Sequence, residues 1–368
     1  MIAGIIGAAG YAGAELVRLL SAHPRIKGLS LGTVSLAGER IENVYPNFLE
    51  TVSSPLVTPE EVIAASDLVF LALPHAVGEP YVKACFDKGI SCIDLSADFR
   101  FDDDEESFKA WYGKGFIIPQ LRERSVYGLP ELNRQKLKDL AAAGPVIVSN
   151  PGCYPTSASL GVFPALAKGL FAGGAIIVNS VSGHTGGGRD LAKASHFPEC
   201  SDSIFPYKVG AHRHAPEISR TLGIMAASNG APAPGVVFTP HLAPLNRGIL
   251  STIYIPIKNA AAPQSAPRPP TKEIEDRAAE IRKLYADFYR DEPFVRVLPL
   301  PHIASTGRVR LSNFCDISVH LDMSGSTLII VSAIDNMLKG ASGQAVQNMN
   351  ILYGFGETEG IGAIPALF

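Results

Sequence analysis

One cysteine follows a short apolar run and opens what reads as a helix. The segment from Asn150 to Thr156 comes directly after the apolar run Val146 to Val148. Pro151 and Gly152 predict a sharp turn, and the helix amides beyond it would point at the thiol of Cys153. Such an environment lowers a thiol pKa and favours the nucleophilic thiolate. The alternative is that Cys153 is a small apolar residue filling a gap near a turn, and the local sequence leaves both interpretations open.

Two histidines flank an arginine further along the chain. His212, Arg213 and His214 stand just before Pro216 and Glu217, a pair typical of a helix start. They supply a base and an anion-binding guanidinium within three residues. A zinc pair is the alternative, but His-x-His without a third ligand at a sensible spacing is poor evidence for a metal. No metal is predicted.

A glycine-rich segment runs from Ser182 to Arg189. Glycines there could let a substrate approach the backbone closely, and Arg189 could pair with a carboxylate. Ser182 and Arg189 are therefore candidate substrate-binding residues. A surface loop without a role in binding is the alternative interpretation.

The secondary-structure elements that position these groups begin, near the N-terminus, with a strand–turn–helix pattern typical of nucleotide binding. Ile2 to Ile6 predicts a buried strand, and an amphipathic helix follows the glycine turn. In such a unit the glycines permit a tight turn, and the helix amides receive a pyrophosphate. The spacing is GxxGxxG rather than GxGxxG, and an ordinary turn is the alternative. The turn carries the candidate cofactor residues Gly7, Gly10, Tyr11 and Gly13.

The next strand, predicted over Leu29 to Val34, lacks the acidic residue that would bind the ribose of NAD. Small hydroxyls and a guanidinium follow instead, including Ser35 and Arg40, and they suit a 2′-phosphate. NADP is therefore favoured over NAD, with a solvated loop charge as the alternative for Arg40. Pro74 ends a further strand, and we expect it over the cofactor crevice.

The remaining pattern predicts an α/β protein with a Rossmann-type domain and a second α+β domain. Residues 271–289 predict a long helix, and several alternating segments after residue 175 predict a mixed, largely antiparallel sheet. The helix after Cys153 should be interrupted or kinked at Pro164. The acidic run 102–106 is interpreted as a solvated loop, the Pro/Ala-rich stretch 259–270 as a linker, and 335–353 as a terminal helix.

Composition limits the class of protein. A chain of 368 residues is expected to form two domains, and its net charge of −3 without a basic block argues against nucleic acid or an anionic membrane as partner. Five cysteines without metal spacing indicate reduced thiols and a cytoplasmic location. Neither a signal peptide nor a membrane span is predicted.

Taken together, these motifs resemble the N-acetyl-gamma-glutamyl-phosphate reductases of arginine biosynthesis, within the aspartate-semialdehyde-dehydrogenase-like group. The resemblance runs from end to end and is carried by these blocks: Gly7 to Leu20, Leu73 to His75, Asp94 to Arg100, Val126 to Glu131, Ser149 to Thr156, His212 to Ile218, Thr239 to His241 with Arg247 and Gly248, and Ile334 to Asn336 through Gln347 to Asn350. It implies an NADP-binding domain, residues 1–150 and 334–368, and a catalytic and dimerisation domain, residues 151–333. A homodimer or homotetramer is expected.

The resemblance also assigns roles. It implies that Cys153 attacks an acyl phosphate to give a thioester, which NADPH reduces, and that His212 is the acid/base residue. Arg213 and Arg100 become candidate substrate-binding residues, and Asn336 a candidate contact of the nicotinamide. Three rivals are a carrier-protein-linked reductase of lysine biosynthesis, an aspartate-semialdehyde dehydrogenase and a non-catalytic NADP-binding regulator.

Overall fold

The chain divides into two compact units. The computed structural model describes residues 1–101, 103–258, 269 and 271–367. The first unit comprises Met1–Gly152 and Gly340–Ala363, and the second comprises Cys153–Lys339 with the C-terminal residues from Ile364. The predicted linker 259–270 lies outside the described residues, apart from Pro269.

The first unit is built on a parallel sheet. Its strands are β1 (Ile2–Ile6), β2 (Gly28–Gly32), β3 (Leu56–Val57), β4 (Leu68–Leu71), β5 (Ser91–Asp94), β6 (Ser125–Tyr127) and β7 (Ile147–Ser149). Their order is β3-β2-β1-β4-β5-β7-β6, and every pairing is parallel. The order reverses between β1 and β4, where open parallel sheets bind ligands beyond their carboxyl ends. This is the predicted Rossmann-type sheet, although β2 ends two residues earlier than expected.

Helices connect these strands: α1 (Tyr11–Ser21), α2 (Ile41–Val44), α3 (Pro59–Ala65), α4 (Glu79–Asp87), α5 (Glu105–Tyr112) and α6 (Pro130–Ala142). The interpretation of residues 102–106 as a loop was wrong for its second half. Asp104 accepts a hydrogen bond from the N–H of Ser107 and caps α5, while Glu105 and Glu106 lie in its first turn. Acidic residues are favoured there by the helix dipole, so the run begins a helix.

The second unit contains a mixed sheet. Its strands are β8 (Ala175–Ser182), β9 (Phe205–Pro206), β10 (Gly235–Leu242), β11 (Ile249–Pro256), β12 (Val295–Val297), β13 (Cys315–Leu321) and β14 (Thr327–Ile334). The order is β12-β13-β14-β11-β8-β10-β9. Four of the pairings are antiparallel, and two, β12 with β13 and β8 with β10, are parallel. The predicted largely antiparallel sheet is confirmed.

Alternation along the central strands gives this sheet two different faces. In β11 every second residue from Ile249 to Ile255 is buried, and the residues between them are partly exposed. The buried face packs against the helices α7 (Cys153–Ala167), α9 (His214–Ser228) and α10 (Lys272–Phe288); the short α8 (Phe197–Cys200) lies elsewhere in the unit. The other face keeps apolar side chains such as Ile177 and Val237, which are 41% and 50% exposed.

The helix α7 continues through Pro164, so the predicted interruption is wrong, while the predicted kink stays a prediction. Proline cannot donate to the carbonyl four residues earlier, which here is that of Leu160. The hydroxyl of Tyr289 donates to this carbonyl, and the hydroxyl of Tyr285, on α10, donates to the next one, that of Gly161, at 3.1 Å. Both tyrosines are buried; the hydroxyl of Tyr289 replaces the missing main-chain bond, and that of Tyr285 adds a second bond to the carbonyl of Gly161.

The C-terminal segment of the first unit contains α11 (Gly343–Leu352), which follows a π-helical turn at Leu338–Ser342. The predicted single helix over 335–353 is therefore two segments. The amide of Asn348 donates to the carbonyl of Gly128, and that of Asn350 to the carbonyl of Glu359. Among the described helices, none is both long and apolar enough to cross a membrane.

Candidate active site

Cys153 is the first residue of α7, four residues after β7 ends. It forms no disulfide and is of intermediate exposure. The first turn of α7 contains no acidic residue. Amides at a helix N-terminus and the positive end of its dipole stabilise an anion, so the position suits a thiolate.

The ring of His212 is enclosed by aromatic side chains. Its centroid lies 5.6 Å from that of Tyr154, 5.3 Å from Tyr207 and 5.4 Å from Phe238, each in an edge-on arrangement. His212 itself is only 6% exposed. Burial, followed by the positive charges of Lys208 and Arg213, lowers the pKa of His212 to about 4. The imidazole is therefore neutral near pH 7.

A main-chain contact selects the tautomer of that neutral ring. The N–H of His214 donates to Nδ1 of His212 at 3.1 Å. Because Nδ1 accepts this hydrogen bond, the ring proton is on Nε2. His212 thus presents an N–H donor at Nε2.

Two hydrogen-bonded tyrosines pack against His212, and one of them directly follows Cys153 in the chain. The hydroxyls of Tyr154 and Tyr207 are hydrogen-bonded to each other at 3.1 Å. Burial, and then the charge of Cys153, raise the pKa of Tyr207 to about 12. Cys153, which adjoins Tyr154 in the chain, is thus close enough to Tyr207 to affect its ionisation. Neither tyrosine stands out in the sequence as a functional residue; the position of Tyr154 next to Cys153 is the signal that could have identified it.

The glycine-rich segment is a well-anchored turn. His184–Gly187 forms a 3-10 turn, and the hydroxyl of Thr185 donates to the carbonyl of Asn246 at 2.6 Å. The amide nitrogen of Asn336 donates to Thr185 at 3.0 Å, while its oxygen accepts from the N–H of Gly248 at 2.7 Å. Asn336 thereby ties this turn to the end of β14, and its contact with a nicotinamide stays a prediction.

The remaining predicted substrate residues lie in different surroundings. Ser182 is buried at the end of β8, and its hydroxyl donates to the carbonyl of Gly183 at 2.9 Å. Arg213 lies at the N-terminus of α9 and is partly buried, whereas Arg189 is exposed. Arg100 belongs to the first unit, where it is 4% exposed and donates to the carbonyls of Asn150 and Leu95. These contacts give Arg100 a structural role, and its contact with substrate stays a prediction.

The glycine turn after β1 fits a dinucleotide. Gly7 has a φ of +92°, and a Cβ there would lie 2.3 Å from the carbonyl oxygen of Ala72; a Cβ on Gly13 would lie 2.1 Å from that of Gly7. Both glycines are therefore required by the fold. A Cβ on Gly10 would meet nothing closer than 3.5 Å, and no side chain caps α1. The space beside Gly10 and the uncapped amides of α1 suit a phosphate group.

The other predicted cofactor residues are at the surface of the first unit. Ser35 and Pro74 are exposed, and Tyr11 is 37% exposed. The guanidinium of Arg40 pairs with Glu42 at 2.7 Å and also contacts Ser53. This hydrogen bond from Arg40 lowers the pKa of Glu42 to about 2.

No group of three or more His, Cys, Asp or Glu side chains in the described ranges could hold a metal ion. His212 and His214 instead stack edge-on, with their ring centroids 4.9 Å apart.

Comparison with known proteins agrees with this architecture. Residues 2–140 match the NAD-binding domain of the semialdehyde dehydrogenases, and residues 153–336 match their dimerisation domain. Among solved structures, the fold is similar to that of aspartate semialdehyde dehydrogenase II of Vibrio cholerae complexed with ASA, with a TM-score of 0.69 at 14% identity, covering 96% of this chain and 98% of that one. A neighbour from Candida albicans, solved with NADP, gives a TM-score of 0.63 at 18% identity, with coverage of 96% and 98%. The class is therefore that of the semialdehyde dehydrogenases.

Curated relatives narrow the assignment. The chain is 48% identical over 367 residues to an N-acetyl-gamma-glutamyl-phosphate reductase of Clostridium kluyveri, with 99% of both chains covered. It is 47% identical over 365 residues to the protein of that name from Clostridium beijerinckii, and 42% over 371 residues to that from Brachyspira hyodysenteriae, again with 99% coverage on both sides. The chain belongs to the N-acetyl-gamma-glutamyl-phosphate reductase family, which confirms the resemblance inferred from its motifs.

Proposed function

We propose that this protein reduces N-acetyl-L-glutamyl 5-phosphate to N-acetyl-L-glutamate 5-semialdehyde, with release of phosphate, as an enzyme of arginine biosynthesis. The observation that carries the proposal is a partly exposed cysteine outside any disulfide at a helix N-terminus, followed by Tyr154, which packs edge-on against a neutral histidine whose Nε2 carries the proton. The full-length relatives carry the name of this activity.

In the first step, the Cys153 thiolate attacks the acyl carbon. The tetrahedral oxyanion collapses, the carbon–oxygen bond to phosphate breaks, and a thioester remains on the cysteine. The leaving phosphate takes up one proton. The start of α7 stabilises the thiolate before attack and again when the sulfur leaves.

In the second step, a hydride converts the thioester to a thiohemiacetal alkoxide, which expels the thiolate and leaves the aldehyde. The bound cofactor supplies that hydride. The Nε2–H of His212 donates a hydrogen bond to the acyl oxygen as negative charge develops on it in each step. Because Nδ1 already accepts from His214, the resting ring cannot also serve as the base that deprotonates Cys153.

NADP is the proposed cofactor, held by the first unit. The family model supports a nucleotide of the NAD(P) type, and the glycine turn offers amides and space for its pyrophosphate. The strand β2 is not followed by an acidic residue at the ribose position, and Arg40 is available to a 2′-phosphate if it exchanges its bond with Glu42. Residues 1–150 and 334–368 are proposed as the cofactor domain, residues 151–333 as the catalytic and dimerisation domain, and the cytoplasm as the location.

A homo-oligomer, either a dimer or a tetramer, is supported by the match to a dimerisation domain. The sheet of the second unit has one face covered by α7, α9 and α10, and an opposite face with exposed Ile177 and Val237. We assign the second face to a second copy of the chain, because partly apolar sheet faces of this kind are typical of subunit interfaces.

The decisive experiment follows NADP reduction with N-acetylglutamate 5-semialdehyde in the presence and absence of phosphate. Phosphate-dependent turnover is expected, together with a loss of at least about 10³-fold in Cys153→Ser. Cys200→Ser is the matched control, since Cys200 is likewise a cysteine of intermediate exposure outside any disulfide, and it should retain full activity. Turnover that needs no phosphate, or an active Cys153→Ser variant, would refute the covalent scheme.

Substrate choice is tested in the same assay. Aspartate 4-semialdehyde and a carrier-protein-linked semialdehyde are each offered in place of the acetylated substrate. A preference for the first would indicate an aspartate-semialdehyde dehydrogenase, and a preference for the second would indicate the carrier-protein-linked reductase. Intact NADP binding without any turnover would favour a regulator.

A further inference from the structure

A row of three serine hydroxyls crosses the buried face of the second sheet. Ser180 on β8, Ser251 on β11 and Ser332 on β14 stand directly opposite one another in the strand register. All three are fully buried. The hydroxyls of Ser180 and Ser251 are 2.8 Å apart, and the thiol of Cys315, on β13, lies 3.4 Å from the hydroxyl of Ser332.

The helix α7 places one hydroxyl on this row. The hydroxyl of Ser157 lies 2.9 Å from that of Ser251 and 3.1 Å from that of Ser332. Ser157 is the donor in both contacts, so its single hydroxyl proton is shared between the two acceptors. It therefore bridges the gap between two strands at a single defined position.

One turn further on, the helix approaches the same two strands closely. A Cβ on Gly161 would lie 2.7 Å from Cδ1 of Ile253, on β11, and 3.3 Å from Cγ2 of Ile330, on β14. A larger residue there would require the side chains of Ile253 and Ile330 to give way. The lack of a side chain at Gly161 thus lets α7 come close to the sheet.

Cys153, Ser157 and Gly161 are spaced by four residues and so lie along one side of α7. Apolar contacts alone would let a helix slide along a sheet, because dispersion is not directional. Hydrogen bonds have preferred distances and angles, so a bridge from Ser157 to two strands fixes the helix along its axis as well. Because a helix is rigid over one turn, fixing the position of Ser157 also fixes the position of Cys153, four residues earlier.

We propose that Ser157, seated on the row of Ser180, Ser251 and Ser332, is a positioning residue that places the nucleophile Cys153 at the start of α7. The inference rests on the proposed role of Cys153 in thioester formation. Catalysis is sensitive to such placement, because small displacements from the attack geometry slow a reaction strongly.

The chain offers a matched control on the same helix. Ser159 is also a fully buried serine of α7, but within the described part of the chain its hydroxyl has no hydrogen-bond partner. Ser157→Ala and Ser159→Ala remove the same atom from the same helix. Ser157→Ala breaks the hydrogen bonds to the sheet, whereas Ser159→Ala breaks none.

The test compares these two variants in turnover and in the alkylation of Cys153 by iodoacetamide across pH, with the modified residue identified by mass spectrometry. Ser157→Ala is expected to lower kcat at least about 10-fold with KM nearly unchanged, and to shift the pH profile of alkylation. Ser159→Ala should match the wild type in both. Ser251→Ala should reproduce the defect, and the double variant with Ser157→Ala should add little to it.

Equal kcat values and equal alkylation profiles for Ser157→Ala, Ser159→Ala and the wild type would overturn the proposal. If Ser157→Ala does not fold, Ser251→Ala tests the proposal instead, because it removes the hydroxyl on β11 that is hydrogen-bonded to Ser157. Failure of the underlying function is visible separately: the wild type would then keep its turnover after Cys153 has been alkylated.

Discussion

The main-chain N–H of His214 donates to Nδ1 of His212, and this one bond decides what the histidine can do. It leaves the proton on Nε2 and disfavours a doubly protonated ring, since Nδ1–H would then face another N–H. Burial and two neighbouring cations act in the same direction. His212 is thus prepared to donate a hydrogen bond to an oxyanion while remaining neutral.

Substitution of His212 should separate hydrogen-bond donation from proton transfer. His212→Ala should lower kcat by about 10²–10³-fold, the usual loss for one oxyanion donor. His212→Gln keeps an amide N–H near the position of Nε2, so it should recover part of that loss. Steady-state kinetics of both variants provide the measurement. Equally inactive variants would indicate that the imidazole must transfer a proton.

The two glycines of the first turn should respond differently to alanine. Gly7→Ala should fail to fold or lose several kcal/mol, because its Cβ would collide with the carbonyl of Ala72. Gly10→Ala should fold with a loss of about 1 kcal/mol, since alanine is a poor N-cap. It should nevertheless bind NADP at least about 10-fold more weakly, as its Cβ enters the space beside α1. Titration calorimetry and thermal unfolding test both expectations, and normal NADP affinity in Gly10→Ala would contradict the assigned site.

Arg40 should determine the choice between the two nicotinamide nucleotides. Arg40→Ala should raise KM for NADP at least about 10-fold and leave KM for NAD unchanged, because only NADP carries the 2′-phosphate. Glu42→Gln is the complementary variant. It weakens the pair that now holds Arg40 and should improve NADP affinity. Parallel changes for both nucleotides in Arg40→Ala would show that the guanidinium does not read the phosphate.

Asp94 should make stability depend on pH. Burial, and then the charge of Asp98, raise the pKa of Asp94 from 3.8 to about 7. The folded state therefore favours the protonated carboxyl, so the stability that this group contributes is complete below pH 4 and is lost as the pH rises through 7. Asp94→Asn should remove roughly 2–4 kcal/mol of this dependence, at 1.36 kcal/mol per pKa unit. Urea unfolding at pH 5 and pH 8 provides the measurement, and the exposed Asp139→Asn is the control.

A charge on the open sheet face should dissociate the oligomer. Val237 lies on that face and is 50% exposed, so Val237→Glu would place a carboxylate in the proposed interface at little cost to the isolated fold. Sedimentation should show a smaller species than the wild type. Ile224→Glu, at a 44% exposed position on α9, provides the comparison and should leave the size unchanged. An unchanged size for Val237→Glu would place the interface elsewhere.

The sequence predicted those features whose signal is local. The strand–glycine–helix pattern at residues 2–21 and the turn before Cys153 are contiguous, and each was located within a few residues of its observed bounds. The aromatic side chains that enclose His212 were not predicted, because Tyr207 and Phe238 come from separate segments that only the folded sheet brings together. The serine row was likewise hidden, since register between distant strands is set by tertiary packing.

The acidic run 102–106 shows a different limit of prediction from sequence. Charge alone suggested a solvated loop, but Asp104 accepts the N–H of Ser107, and the same carboxylates that suit water also suit a helix N-terminus. Composition could not separate these two environments. The distinction came from the apolar side of α5, where Phe108 is buried.

The tyrosine hydroxyls that serve α7 come from far along the chain. Leu160 and Tyr289 are 129 residues apart, and Gly161 and Tyr285 are 124 apart. During synthesis, therefore, the helix that begins with Cys153 emerges from the ribosome well before the carbonyl of Leu160, which Pro164 leaves without a main-chain donor, can be satisfied. Chains that terminate before residue 285 should leave this helix incompletely packed and open to proteolysis. The nucleophile thus acquires its final setting only after most of the polypeptide has been made.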